Sequence, residues 1–242
     1  LAASQTATFT GAQLTGEAIS LTAQSATTES ILVNIGSGET FISGLTAGTN
    51  VNAIYYTGTS GDEVITGGAL NETITGNSGN DVLTGGGGND IIVFSTASAN
   101  GIDSIYLGVV TGSAVDDILD FTANDAFLGT VTESCGIFAE TDVTNTGSGV
   151  ANDAANQNIL FLTGDYFADA ATLAAATTVF AAVGAGKVLI VYAGTSSDHA
   201  RIAVCTLSAG GDVTSATDVA ILVGVTALEA STGLTSSNFI LD

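Results

Sequence analysis

Four nine-residue blocks follow one another without a gap from Gly58 to Val93, and no other feature constrains the fold so tightly. They read GTSGDEVIT (58–66), GGALNETIT (67–75), GNSGNDVLT (76–84) and GGGGNDIIV (85–93). Glycine opens every block. Position six is always acidic: Glu63, Glu72, Asp81 and Asp90. Position eight is always a large aliphatic: Ile65, Ile74, Leu83 and Ile92. Fixed-period self-similarity means one small unit stacked on copies of itself. Three residues of strand turn one side chain inward, and position eight supplies it. The six glycine-rich residues that remain reverse the chain, and glycine permits the positive φ and close backbone approach that such a turn needs.

Stacking has an electrostatic consequence. The position-six carboxylates of successive layers fall into line, and like charges so close repel strongly unless a cation sits between them. Carboxylates combined with turn carbonyls suit a hard cation with six to eight flexible oxygen ligands, which describes Ca²⁺ better than Mg²⁺.

With these residues in place, the sequence resembles the RTX family, the calcium-binding nonapeptide proteins of Gram-negative bacteria. The family motif G-G-x-G-x-D-x-U-x is matched most closely by 85–93 and 76–84. The resemblance implies a parallel β-roll with two blocks per coil and ions between turns stacked on the same side. Glu63 would then pair with Asp81, and Glu72 with Asp90. The turn residues Gly79, Asn80, Gly88 and Asn89 would complete the ligand set. Glu replaces Asp in the first two blocks, and Leu70 and Asn77 stand at glycine positions. The first layer is therefore expected to bind more weakly than the second.

The flanks divide into three regions. Residues 1–57 alternate with Thr in short stretches such as Thr6–Thr10 and Ile31–Ile35, which read as strands. They form either the tail of a larger β domain or a non-binding extension of the roll, with 52–56 as a degenerate coil. Residues 94–128 read as a roll-capping segment. Within it, Asp116, Asp120 and Phe121 resemble the D-x-I-x-D-F run that follows RTX rolls, and Asp103 and Asp125 are further candidate ligands. Residues 129–242 read as a C-terminal β domain with one helix. A strand at Ile159–Leu162 is followed by the helix from Asp165, as N-cap, through Ala182. A hairpin of 187–193 and 201–207 comes next, then a strand at 218–223. His199 reads as a turn residue beside Asp198. The last residues, 234–242, resemble the uncleaved C-terminal export signals of type I secreted RTX proteins.

Charge and motif content exclude much else. The net charge is -22, from 24 acids against only Lys187 and Arg201. Two cations cannot neutralise a phosphate backbone, so nucleic acid is not a partner. One histidine rules out an H-E-x-x-H zinc motif, and neither a G-x-S-x-G elbow nor a phosphate-binding P-loop occurs. Cys135 and Cys205 allow one disulfide or two free thiols. No run reaches the roughly 18 apolar residues of a membrane span. The sequence contains no Met, so Leu1 is expected to follow processing or a cut.

Together these readings give an all-β fold: a short parallel roll flanked by β-rich regions, with one C-terminal helix. The expected function is structural and non-enzymatic. The chain would be a calcium-dependent secreted protein of the bacterial surface, similar to RTX-type S-layer proteins, self-assembling into an extracellular array. Its other expected partners are a cell-surface glycan as anchor and the type I secretion apparatus. The alternatives are the calcium-binding secretion and folding module of an RTX enzyme or toxin, and a calcium-stiffened adhesin stalk.

Overall fold

The computed structural model describes residues 6–20, 29–46, 51–95, 100–107, 117–122, 135–138, 159–175, 186–194, 199–226, 233–235 and 238–241. The chain divides into two compact units, one comprising 1–108 and 116–120, the other 109–115 and 121–242.

The first unit holds β1 (Thr6–Thr10), a one-turn helix α1 (Gly11–Leu14), β2 (Ile19–Ser20), β3 (Glu29–Asn34), β4 (Thr40–Ile42), β5 (Leu45–Thr46) and β6 (Val51–Thr57). It continues with β7 (Val64–Thr66), β8 (Glu72–Thr75), β9 (Val82–Thr84), β10 (Ile91–Val93), β11 (Asp103–Tyr106) and β12 (Ile118–Asp120). Each block of the repeat thus supplies one short strand at positions seven to nine; β8 begins one residue earlier.

Alternate blocks stack on alternate faces, so two blocks make one coil of a parallel β-roll. β7 pairs with β9 through Ile65↔Leu83, and β8 pairs with β10 through Ile74↔Ile92. Strand spacing in a sheet is about 4.8 Å. One face runs β4-β7-β9-β11 and the other β1-β3-β6-β8-β10-β12. The roll therefore extends beyond the repeat at both ends. Upstream, β6 lies in register on β8 with Tyr56↔Ile74, and β4 on β7 with Phe41↔Ile65. Downstream, Ile105 stands on Leu83 and Leu119 on Ile92. The inward column of Phe41, Ile65, Leu83 and Ile105 is fully buried, as are Tyr56, Ile74 and Leu119 opposite. Burying one such side chain stabilises by about 1.5–3 kcal/mol.

The second unit is built on a sheet of β13 (Cys135–Phe138), β14 (Ile159–Tyr166), β15 (Gly186–Ala193), β16 (His199–Leu207) and β17 (Val213–Val223). β13, β14 and β15 are mutually parallel, and the turn back into β16 and β17 is antiparallel. A short helix α2 (Ala170–Ala175) adds Ala170 and Leu173 to a cluster with Leu160, Tyr192, Cys205 and Leu207. The last strand, β18 (Phe239–Ile240), brings Phe239 against Phe121 and Phe161 with ring centroids 6.5 and 6.4 Å apart. No helix among the described residues is long and apolar enough to cross a membrane.

Two expectations are corrected in this unit, and one open alternative is decided. The helix does not begin at Asp165, because β14 continues to Tyr166 through a register shift against β15. Asp169 takes the capping role instead: its Oδ1 accepts from Thr172 N–H at 2.8 Å, while Thr172 Oγ1 accepts from Asp169 N–H at 3.0 Å. Helix beyond Ala175 falls outside the described residues. His199 opens β16 rather than lying in the turn, and its Nδ1 accepts from Gly224 N–H at 2.9 Å. Cys205 is a buried free thiol and forms no disulfide.

Candidate metal centre

The position-six acids of the repeat are buried, as are two acids that follow it. Glu63, Glu72, Asp81, Asp90, Asp103 and Asp117 are each at most 3% exposed. The reason is local: position six lies two residues before the inward aliphatic, so strand alternation turns both side chains to the same side.

These carboxylates form two columns, one along each edge of the roll. On one edge, Asp81 Oδ1 accepts from the Glu63 backbone N–H at 2.8 Å, and Asp103 Oδ1 from that of Asp81 at 3.0 Å. On the other, Asp90 Oδ1 accepts from Glu72 N–H at 2.9 Å, and Asp117 Oδ1 from Asp90 N–H at 3.1 Å. Each acid reaches back one coil. Position five forms a second set of rungs in the opposite sense. Asp62 Oδ1 accepts from Asn80 N–H at 2.8 Å, Asn71 Oδ1 from Asn89 N–H at 3.0 Å, and Asn80 Oδ1 from Ile102 N–H at 2.9 Å.

Glycine is required where turns meet. Gly79 and Gly88 adopt φ of +118° and +114°, and the carbonyls of Gly61 and Leu70, one coil earlier, fill the space a Cβ would need. At Gly76 and Gly85 the same space is filled by the carboxylates of Asp81 and Asp90. Turn carbonyls and carboxylates therefore crowd the same edges.

Three of these carboxylates each have one oxygen with no donor. Asp81 Oδ2, Asp90 Oδ2 and Glu72 Oε1 are buried without a hydrogen-bond partner. A buried ionised carboxylate without compensation costs several kcal/mol, so such a group takes up a proton or a cation. The acidities agree. Burial first, then the negative charges of Glu63 and Asp62, push Asp81 up to about 6. Burial pushes Asp103 up to about 7, with Asp81 adding to the rise. Glu72 and Asp90 are both raised, again chiefly by burial and then by neighbouring carboxylates. The first unit supplies no cation of its own, because residues 1–186 contain no Lys, Arg or His. Arg201, in the second unit, is engaged with Asp218 at 3.1 Å. Among the described residues no three acidic, histidine or cysteine side chains converge on one point. Carboxylate oxygens and turn carbonyls are the groups that crowd these edges, a donor set that favours a hard, oxygen-seeking ion such as Ca²⁺.

Of the residues expected at the site, Glu63, Glu72, Asp81, Asp90 and Asp103 all lie in the two columns. Gly79, Asn80, Gly88 and Asn89 form the stacked turns beside them. Asp116 and Asp125 lie outside the described residues. Asp120 is half-buried on β12 opposite Val93, off the column. The sequence reading missed Asp117, which fills the rung after Asp90. The signal was present: Asp117-Ile118-Leu119 repeats the acid-x-aliphatic order of Asp90-Ile91-Ile92.

Residues 57–92 match the family described as the RTX calcium-binding nonapeptide repeat, in four copies. No curated protein is detectably similar to the chain. The repeat segment is thus an RTX array whose nonapeptides bind Ca²⁺.

Proposed function

We propose that the chain is a calcium-folded structural protein of a bacterial cell surface, exported by a type I apparatus and assembling with its own copies into an S-layer-like array. The observation that carries the reading is the mismatch between charge and available cations. A net charge of -22 with only two basic residues, one of them paired with Asp218, leaves at most Lys187 to offset the charge of a neighbouring copy. Salt shortens the repulsion only to a Debye length of about 8 Å. Divalent ions bridging surface acids are the remaining route to close packing. The outer sides of the roll also suit contact: Ile42, Tyr55 and Tyr106 are 51, 40 and 43% exposed among rows of threonines. In this reading the chain has no catalytic task, and a cell-surface glycan is its anchor.

The competing reading is a secretion and folding module attached to an RTX enzyme or toxin. Electron microscopy in millimolar Ca²⁺ and after chelation separates the two. Sheets or filaments that disperse on chelation support the array. Monodisperse particles in both conditions, with light scattering at the monomer mass, leave the module reading in its place.

A further inference from the structure

We infer that Glu63, although it holds the acid position of the first block, is not a calcium ligand; its carboxylate is saturated by the protein and closes the ion-binding column at its upstream end. The inference holds whether or not the chain assembles.

Three protein donors occupy this carboxylate. Glu63 Oε1 accepts from Gly38 N–H at 3.0 Å and from Thr59 Oγ1–H at 2.8 Å, and Oε2 accepts from Thr59 N–H at 2.9 Å. The side chain is 1% exposed, and neither oxygen lacks a partner, unlike one oxygen each of Glu72, Asp81 and Asp90. The chemistry of the difference lies in one methylene and one hydroxyl. A glutamate at position six is long enough to reach back to the N–H of position two in its own block. Glu72 does this with Gly68 N–H at 3.2 Å, but Gly68 has no hydroxyl, so Oε1 is left without a donor. Thr59 offers both groups. Asp81 and Asp90, the position-six aspartates of the repeat, are one methylene shorter, and Oδ2 of each stays without a donor. A cation approaching Glu63 meets N–H and O–H hydrogens of the same sign, and binding it would strip three buried donors of their acceptor.

The register extends the point upstream. β4 stands on β7 with Thr40↔Val64, so Glu39 is the next member of this column, and its backbone carbonyl accepts from Val64 N–H at 3.0 Å. Its Oε2 is also held by the protein, by Gly36 N–H at 2.6 Å. On the opposite edge the positions above Glu72 are Ile54 and then Ile31. Glu29, whose two oxygens are buried without donors, lies two residues before Ile31 and off this level. The upstream coils thus offer an end to the roll whose column positions need no ion, and the ion-bearing coils stack on it.

The test uses the whole chain, calorimetric titration with CaCl₂, and thermal melts in EGTA and in excess Ca²⁺. Glu63→Gln is expected to keep the number of bound ions and their affinity within about twofold of the parent. It should lower the melting temperature by the same amount in both media, because Thr59 N–H then faces an amide that satisfies it poorly. Asp81→Asn serves as the comparator and should lose the calcium-induced increment. Loss of a bound ion in Glu63→Gln, affinity weaker by about tenfold, or a drop confined to the calcium sample overturns the inference. Should Glu63→Gln fail to fold, Thr59→Val carries the test. An equal drop in both media is expected. Tighter calcium binding after removal of that competing donor means that Glu63 is a ligand, and overturns the inference.

Discussion

The Glu72 backbone N–H donates to Asp90 Oδ1 at 2.9 Å across one full coil of the roll, while Oδ2 of the same carboxylate is buried with no donor. One oxygen of Asp90 thus holds two layers together and the other asks for a cation. The same division recurs at Asp81, so folding of the coils and binding of the ion share their ligands. Four predictions follow from this coupling and from the packing around it.

Asp117 should behave as a member of the column. Its Oδ1 continues the rungs beyond Asp90, whereas Asp120 stands off the column opposite Val93. Asp117→Asn is expected to weaken calcium binding by about tenfold, the effect of losing roughly 1.4 kcal/mol. Asp120→Asn should change it little. Titration calorimetry of the two variants decides, and the reverse order would place the closing ligand at Asp120.

The calcium-free protein should lose stability as pH rises. Asp81 and Asp103 titrate near 6 and 7 in the fold, above the 3.8 of an unburied aspartate. Between about pH 4 and pH 7 the folded state therefore holds more protons than the unfolded state, and stability falls with pH across that window. Glu72 and Asp90 are shifted in the same direction. Melts in EGTA should give a lower melting temperature at pH 8 than at pH 5. Excess Ca²⁺ should reduce or reverse that difference, since the ion binds the deprotonated ligands. A calcium-free protein more stable at pH 8 contradicts the assignment.

Two glycine substitutions should differ sharply. Gly79→Ala sets a Cβ against the Gly61 carbonyl at φ +118° and is expected to cost about 2 kcal/mol or more. Gly87→Ala meets nothing closer than Ala69 Cα at 3.9 Å and should lie within about 0.5 kcal/mol of the parent. Urea titrations of both variants in calcium measure the contrast, and equal costs would mean that the stacked turns are looser than described.

The residue pattern revealed the roll where its period was strict. Invariant Gly, acid and aliphatic positions nine residues apart located the strands and the inward column, and the resemblance to RTX repeats supplied the two-block coil that sets Asp81 on Glu63 and Asp90 on Glu72. Outside the repeat the spacing changes. Phe41 and Ile65, in register on adjacent strands, are separated by 24 residues rather than 18, and Leu119 follows Ile92 by 27. Longer connections hide the period although the inward contacts persist, which is why residues 1–57 read either as the tail of a β domain or as an extension of the roll, and why the pattern does not single out Asp117. The misplaced helix start has a different cause. Asp165 reads as a cap from its type, but strand β14 runs past it to Tyr166, which pairs with Ala193 of β15. The saturation of Glu63 depends on Gly38, 25 residues away, and no local pattern contains it.

Calcium completes the fold of the roll, and a pair of thermal melts of the whole chain, one in EGTA and one in excess Ca²⁺, tests this without any substitution. Each site at about 100-fold saturation adds about 2.7 kcal/mol by mass action. For a chain of this size each kcal/mol is worth roughly 2–4 °C. The melting temperature is expected to be higher in Ca²⁺ by at least several degrees, with Mg²⁺ at equal concentration giving much less. The same melting temperature in EGTA and in Ca²⁺ would contradict it.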